Sequence, residues 1–378
     1  MKHLVLCLAV VFLGCLIILA NLNAHKEQAA SRTKGPYTPP AVAFNGNSHD
    51  LKQSVIVPTL DTPMPDGKNV VWCAPFQMAW SYLKDDVVKE PVRIANAEAV
   101  AKRLDDSPFS KSDLPDDSYY AAAGLAKDGI VQKIRQEMKE RFHKEPLDLN
   151  DADAALVAYG YLRAQVPFTI PYFENKKAFS FTDSEGRKTA VASFGLREED
   201  GSAYYKLRAQ FEALYVLQED HRGDPVEFAV DLCRDSKPNQ IILACIPRKN
   251  NLQAMVADVV RKIADHPPDE RWLAPDARVL IPCLNWSITH HFTELEGADK
   301  HFLNRGFEGL WMKTALQTID FRLDRSGVEL ESEAKVMVAP IPIHYIVNRP
   351  FLIVVKKRGL ERPFFVMWVD NAELLCKP

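Results

Sequence analysis

The sequence predicts a large α+β domain with mixed β-sheets, and three observations carry that reading. Strand-like and helix-like stretches are interspersed without regular βα alternation, which excludes a doubly wound parallel sheet. The chain has 378 residues, of which 47% are hydrophobic, enough to bury an extensive core. In one tract, Val328, Leu330, Ser332, Ala334, Val336 and Val338 alternate with Glu329, Glu331, Glu333, Lys335 and Met337. This period of two is that of a strand with one dry and one wet face, and a slip of one residue would bury three glutamates. Pro340 and Pro342 have no N–H to give to a ladder and end the run.

From the N-terminus, residues 4–20 are uninterrupted apolar behind Met1-Lys2-His3, and polar residues resume at Asn21. That pattern predicts a signal peptide or uncleaved anchor over residues 1–24, and so a secreted, periplasmic or cell-envelope protein. Ala20 and Ala24 are cleavage candidates, and Cys15 is a weaker candidate for lipid attachment. Residues 25–66, rich in Pro and Gly and without sustained periodicity, read as a flexible tether or surface wrap, leaving 67–378 as the folded domain.

Helical spacing follows Pro75 through Phe76, Met78 and Leu83. A long helix is expected over 118–142, where Ile130, Ile134, Met138 and Phe142 recur every four residues behind the capping candidates Asp116-Asp117-Ser118. A second helix is expected over 151–162. Strands are expected near 179–182, 189–194, 203–216, 226–233 and 240–246. A helix over 252–264 keeps the 3.6 period with Leu252, Met255, Val256, Val259, Val260 and Ile263. Strands near 279–286, 310–323, 348–356 and 363–370 complete the core.

A net charge of −3 gives no electrostatic case for nucleic acid. The short signatures of serine hydrolases, zinc proteases, P-loop enzymes and dinucleotide binders do not occur, so no enzyme is expected. Beyond the leader, Cys73, Cys233, Cys245, Cys283 and Cys376 are odd in number and match no zinc spacing, which reads as buried free thiols. His290, His291, Glu294 and His301 are the nearest approach to a metal cluster, but adjacent histidines point apart and no metal or cofactor is expected. Glu329, Glu331 and Glu333 read as a solvated strand face.

The tract after residue 313 resembles the C-terminal end of the serpin family. There a strand ending in a D-x-x-G turn leads to a hinge and an exposed reactive loop, and the next strand opens [NHD]-[RKH]-P-F; Asp324, Gly327 and Asn348-Arg349-Pro350-Phe351 match. NVVWCAPFQMAWSYL (69–83), FTDSEGRKTAVASFGL (181–196), the pair VEFAVDL and QIILACIP with LQAMVADVVRKI, and VLIPCLNWSITHHFTELEG (279–297) resemble further serpin motifs in the family's order. The resemblance covers residues 69–83 and 160–370 and points to a divergent, bacterial-type member. It lacks the family's long first helix, has a shortened helical region before its central strand, and has an atypical hinge.

The resemblance implies a serpin-like α+β fold and a serine-type endopeptidase inhibitor acting by loop cleavage and strand insertion. The hinge would be Gly327, Val328, Leu330, Ser332 and Ala334, and the reactive loop Met337, Val338, Ala339, Pro340, Ile341 and Pro342. The expected partner is a serine protease preferring small or aliphatic residues, with no nucleic acid, and with membrane contact only through an uncleaved leader. Counting from the hinge places the scissile bond at Ile341–Pro342, counting back from Asn348 places it at Ala339–Pro340, and Met337–Val338 or Val338–Ala339 are chemically easier. Three features argue against efficient inhibition: Leu330 in a hinge that favours small residues, proline after both counted scissile bonds, and departures at Cys73, Gln77, Gln317 and Val166–Phe168, positions where the family tunes sheet opening. The alternative is a non-inhibitory serpin-fold protein that binds a protein or small ligand.

Overall fold

The computed structural model describes residues 39–107, 109–146, 148–149, 156–196, 202–217, 225–267, 277–326 and 344–378. The strands and helices named below are numbered among these residues.

The central sheet has five strands in the order β1 (Phe44–Asn47), β12 (Leu284–His291), β13 (Met312–Leu323), β5 (Leu156–Gln165), β4 (Tyr119–Leu125). A seven-stranded sheet runs β2 (Ser54–Ile56), β3 (Asn69–Cys73), β16 (Pro363–Val369), β15 (Phe351–Lys357), β10 (Asn239–Cys245), β9 (Glu227–Asp231), β8 (Glu212–Leu217). A four-stranded sheet runs β14 (Tyr345–Ile346), β11 (Val279–Pro282), β7 (Lys188–Leu196), β6 (Phe173–Thr182). Helices α1 (Ala74–Tyr82), α2 (Glu98–Asp105), α3 (Ile130–Glu137), α4 (Ser202–Gln210) and α5 (Leu252–Asp265) pack around them. No helix among the described residues is long and apolar enough to cross a membrane.

Residues of all three sheets contribute to one large apolar core. In β15 and β16, FLIVV and PFFVMWV are buried on both faces, which is why these strands read as unbroken hydrophobic runs rather than alternating ones. Helix α1 starts with Pro75 in its first turn, where a missing N–H costs nothing, and is buried from Ala74 to Trp80. Asn251 caps α5 by accepting the Ala254 N–H at 2.8 Å.

The structure corrects four expectations. The 118–142 helix is two elements: Tyr119–Leu125 is strand β4, paired antiparallel with β5, and the helix begins only at Ile130 behind Gly129 at φ +81°. The Asp116-Asp117-Ser118 group therefore caps nothing here, and the Ser118 carbonyl accepts Arg163 N–H instead. The helix expected over 151–162 is, from residue 156, strand β5, paired with β13 and β4 in the central sheet. The strand expected over 203–216 is helix α4 followed by β8. Strand 279–286 also breaks in two at Cys283. Within 25–66, Phe44–Asn47 pairs with β12 and Ser54–Ile56 with β3. Among the described residues, Cys73, Cys233, Cys245, Cys283 and Cys376 are free and buried.

Candidate functional site

Strands β5 and β13 lie side by side and parallel, in register from Val157↔Thr314 to Gln165↔Arg322. Their other neighbours, β4 and β12, run antiparallel to them. The seam has two faces. Toward the main core point Ala158, Leu162, Ala315 and Ile319; toward a second, smaller core point Val157, Tyr159, Tyr161 and Leu316. Ile134, Met138 and Phe142, three members of the predicted four-residue stripe, cover that second face, with Ile130 packed alongside.

On the main-core face, α1 crosses the seam at Gly160. A Cβ there would lie 2.7 Å from the Phe76 nitrogen and 2.8 Å from the Pro75 carbonyl carbon, so only glycine fits. Opposite Gly160 in register is Gln317, which is 1% exposed and has no hydrogen-bond partner at either amide atom among the described residues. A buried amide left unpaired costs about 1–3 kcal/mol per group. His290, paired in register with Gln317, forms a 2.6 Å hydrogen bond between Nδ1 and Ser48 Oγ, and Phe292 stands edge-on to its ring at 4.6 Å. Burial, with a smaller contribution from His291, pushes the His290 imidazole down to about 4. His291 meets Glu296 at 2.9 Å and Asp148 at 3.6 Å, and the Glu296 hydrogen bond holds its imidazole above its ordinary value. Burial raises the Glu294 carboxyl. The two imidazoles thus serve separate partners, and no group of three or more metal-ligating residues occurs among the described residues. Burial raises the Cys73 thiol well above its ordinary value, which makes it a poor nucleophile.

On the other face, Asp320 of β13 gathers three donors. Tyr161 of β5 donates at 2.5 Å across the seam, Ser287 of β12 donates at 2.7 Å, and the Lys144 ammonium reaches it from the chain following Phe142.

Residues 327–343 leave the end of β13 and return at β14. The hinge residues Gly327, Val328, Leu330, Ser332 and Ala334, the loop residues Met337, Val338, Ala339, Pro340, Ile341 and Pro342, and the acidic residues Glu329, Glu331 and Glu333 all lie outside the described residues. Both ends of the segment are held. Asp324 accepts Ser326 N–H at 2.7 Å, and Arg325 donates Nε to the Tyr172 carbonyl at 2.8 Å. At the return, Asn348 accepts Thr182 N–H at 2.8 Å, and Arg349 donates to the Pro225 and Val226 carbonyls at 2.9 and 2.8 Å.

A second feature is a cleft of about 250 Å³ between α5 and the sheet strands β8, β10 and β15. Val256, Val259, Val260 and Ile263 line it from the helix, and Leu214, Ile242 and Val354 from the sheet. Lys356 stands in its wall, half-buried, and donates a hydrogen bond to the Leu360 carbonyl at 2.9 Å. Burial holds its ammonium below the ordinary lysine value.

Sequence reasoning singled out Gln317 and Gln77 only as departures from a pattern, and it missed Asp320, Tyr161 and Lys144 altogether. Asp320 is the only carboxylate of β13, but that alone does not mark it, and its partners are 159, 33 and 176 residues distant.

No protein-family model and no curated protein sequence matches the chain. Solved structures do. The thermophilic serpin tengpin in its native state superposes with a TM-score of 0.51 at 13% identity, covering 88% of this chain and 100% of that one. Mouse protein-Z dependent protease inhibitor gives 0.50 at 12% identity, covering 80% and 91%. Thyroxine-binding globulin in complex with thyroxine gives 0.50 at 12%, covering 80% and 93%.

Proposed function

We propose that this chain, whose fold is that of the serpins, is an exported inhibitor of serine endopeptidases that acts by cleavage within 337–342 and insertion of the hinge as a new strand. The observation that carries the reading is the parallel β5–β13 pair, of which β13 lies just upstream of 327–343. A segment that folds back along β13 runs antiparallel to it, and β12 already occupies the other side. Entering between β13 and β5, it would be antiparallel to both, replacing one parallel ladder by two antiparallel ones, which are somewhat stronger per residue. The alternation from Val328 to Val338 supplies the single dry face such a strand requires. Export rests on the apolar run at 4–20, which lies outside the described residues.

Cleavage is assigned to Met337–Val338 or Val338–Ala339, because the bonds ahead of Pro340 and Pro342 are refused by most serine proteases. The target is accordingly an enzyme that accepts small or aliphatic residues. Insertion is slow, since placing Leu330 where a small residue fits costs about 1–3 kcal/mol.

The test is incubation with an elastase-like and a subtilisin-like protease. A complex that survives SDS, and a loop-cleaved form that melts higher than the intact one, are expected. A cleaved form that melts no higher eliminates strand insertion.

A second reading has its own observation, the α5 cleft. Its apolar residues, with the Lys356 ammonium beside Glu212, Gln240 and Glu361 at its rim, suit a small amphipathic ligand whose carboxylate meets Lys356, and thyroxine-binding globulin is a protein of this fold solved with a small ligand. Saturable quenching of intrinsic fluorescence by a medium-chain fatty acid, lost in Lys356→Met, supports it; unsaturable or unchanged quenching removes it.

A further inference from the structure

The chain between α3 and β5 does more than connect them. It leaves the Phe142 turn through His143 at φ +54°, a left-handed conformation that swings the backbone, and places Lys144 against Asp320 of β13. Phe142 itself packs edge-on against the Tyr161 ring at 4.6 Å, and the Lys144 ammonium lies 5.8 Å from the same ring. Further along, Asp148 reaches His291 at the end of β12 at 3.6 Å. A segment that belongs to the β5 side of the seam is therefore fastened to the two strands on the other side.

At the centre is Asp320, with a side chain only 16% exposed. One carboxylate oxygen accepts Tyr161 and Lys144, the other accepts Ser287. Tyr161 and Asp320 belong to the two strands whose separation any seam opening requires, and their hydrogen bond runs diagonally across the ladder, since Tyr161 is in register with Thr318 and Asp320 with Arg163. Pulling β5 from β13 leaves a carboxylate in a water-poor site without two of its three donors. Hydrogen bonds to a charged group are about twice as strong as neutral ones, and the penalty for stranding the charge exceeds the gain from making it.

The geometry points to a polar latch: Asp320, holding Tyr161 across the seam and Lys144 from the covering strap, keeps β5 and β13 closed and sets how fast they part. The latch regulates the site of the proposed inhibitor and takes its functional meaning from that reading, but closure of the seam is a property of the intact protein and is measured without any protease.

The experiment is hydrogen exchange on the intact full-length chain, comparing wild type with Tyr161→Phe, Asp320→Asn and Lys144→Met. Tyr161→Phe keeps the ring packing and removes one charged hydrogen bond, so amides of β5 and β13 should open about ten- to a hundredfold more often. Amides of β15 and β16, in another sheet, serve as the internal reference and should not change. Lys144→Met should give a smaller increase that 0.5 M salt reproduces in the wild type. Unchanged β5 and β13 exchange in Tyr161→Phe overturns the latch, as does a rise matched in β15 and β16, which would be a loss of global stability. A second measurement follows the increase in melting temperature after loop cleavage; the latch predicts a faster increase in Tyr161→Phe. If the cleaved wild type gains no stability, the inhibitor reading fails while the exchange result still decides the latch.

Discussion

Replacing His290 by glutamine should flatten the acid dependence of stability between about pH 6.5 and pH 4. In the folded protein the imidazole is held neutral, its titration lowered from 6.5 to about 4 by burial and, to a lesser degree, by His291. In the unfolded chain it takes up a proton near 6.5. Above that value both states are neutral and the group contributes fully. As the pH falls the unfolded state binds a proton that the folded state refuses, so stability declines until about pH 4 and is then level for this group. At about 1.4 kcal/mol per unit of pH, the interval is worth about 3.5 kcal/mol as an upper bound.

Glutamine retains an acceptor for the Ser48 hydroxyl and has no proton to gain. Urea unfolding of both proteins at pH 7.5, 5.5 and 4.5 yields the difference, in which carboxylate titrations common to both cancel. His291 acts in the other direction: raised by its bond to Glu296, it contributes stability that is complete below about 6.5 and is lost as the pH rises through its folded value. The two neighbours thus impose opposite slopes in adjoining windows. A wild-type minus His290→Gln difference that stays constant from pH 7 to pH 4, or grows on acidification, refutes the assignment of a buried neutral imidazole.

Gly160→Ala should lower stability by about 1–3 kcal/mol or prevent folding, because its methyl meets the Phe76 and Pro75 backbone, which cannot rotate away; an unchanged melting temperature contradicts the close approach. Gln317→Leu removes two unpaired buried groups and should raise the unfolding midpoint by an amount equivalent to about 1–3 kcal/mol; a lower midpoint implies that the amide is satisfied in solution. Leu330→Ala should increase the proportion of SDS-stable complex over cleaved product with a given protease, and an unchanged proportion removes the hinge argument. The five buried thiols should resist a thiol reagent until the protein unfolds; rapid labelling of Cys73 in the native protein contradicts its burial.

The parts of the fold legible in the sequence were those where one physical influence dominated. Helix α5 shows its 3.6 period because one face is wet and the other packs on a sheet. β15 and β16 are long apolar runs ended by charges and turns. The misread parts are those where tertiary contacts overruled local preference. Tyr119-Tyr120-Ala121-Ala122-Ala123 is a good helix sequence, yet it pairs with β5 because Arg141, on the turn after α3, fastens the Asp116 and Tyr119 carbonyls and fixes the strand's start. β5 lost its period of two because both of its faces are buried, one by α1 and one by the stripe of α3. At the candidate site, Gln317 could be suspected from the resemblance, but its unpaired state could not, since that depends on which neighbours fail to reach it.

Gly160 also bears on how the central sheet can come apart. At the single point where α1 crosses Gly160, backbone lies against backbone with no strand side chain between them, although Ala158 and Leu162 share that face on either side. Movement of β5 past the helix at that point meets no side chain, whereas a residue with even one methyl would catch on the helix backbone.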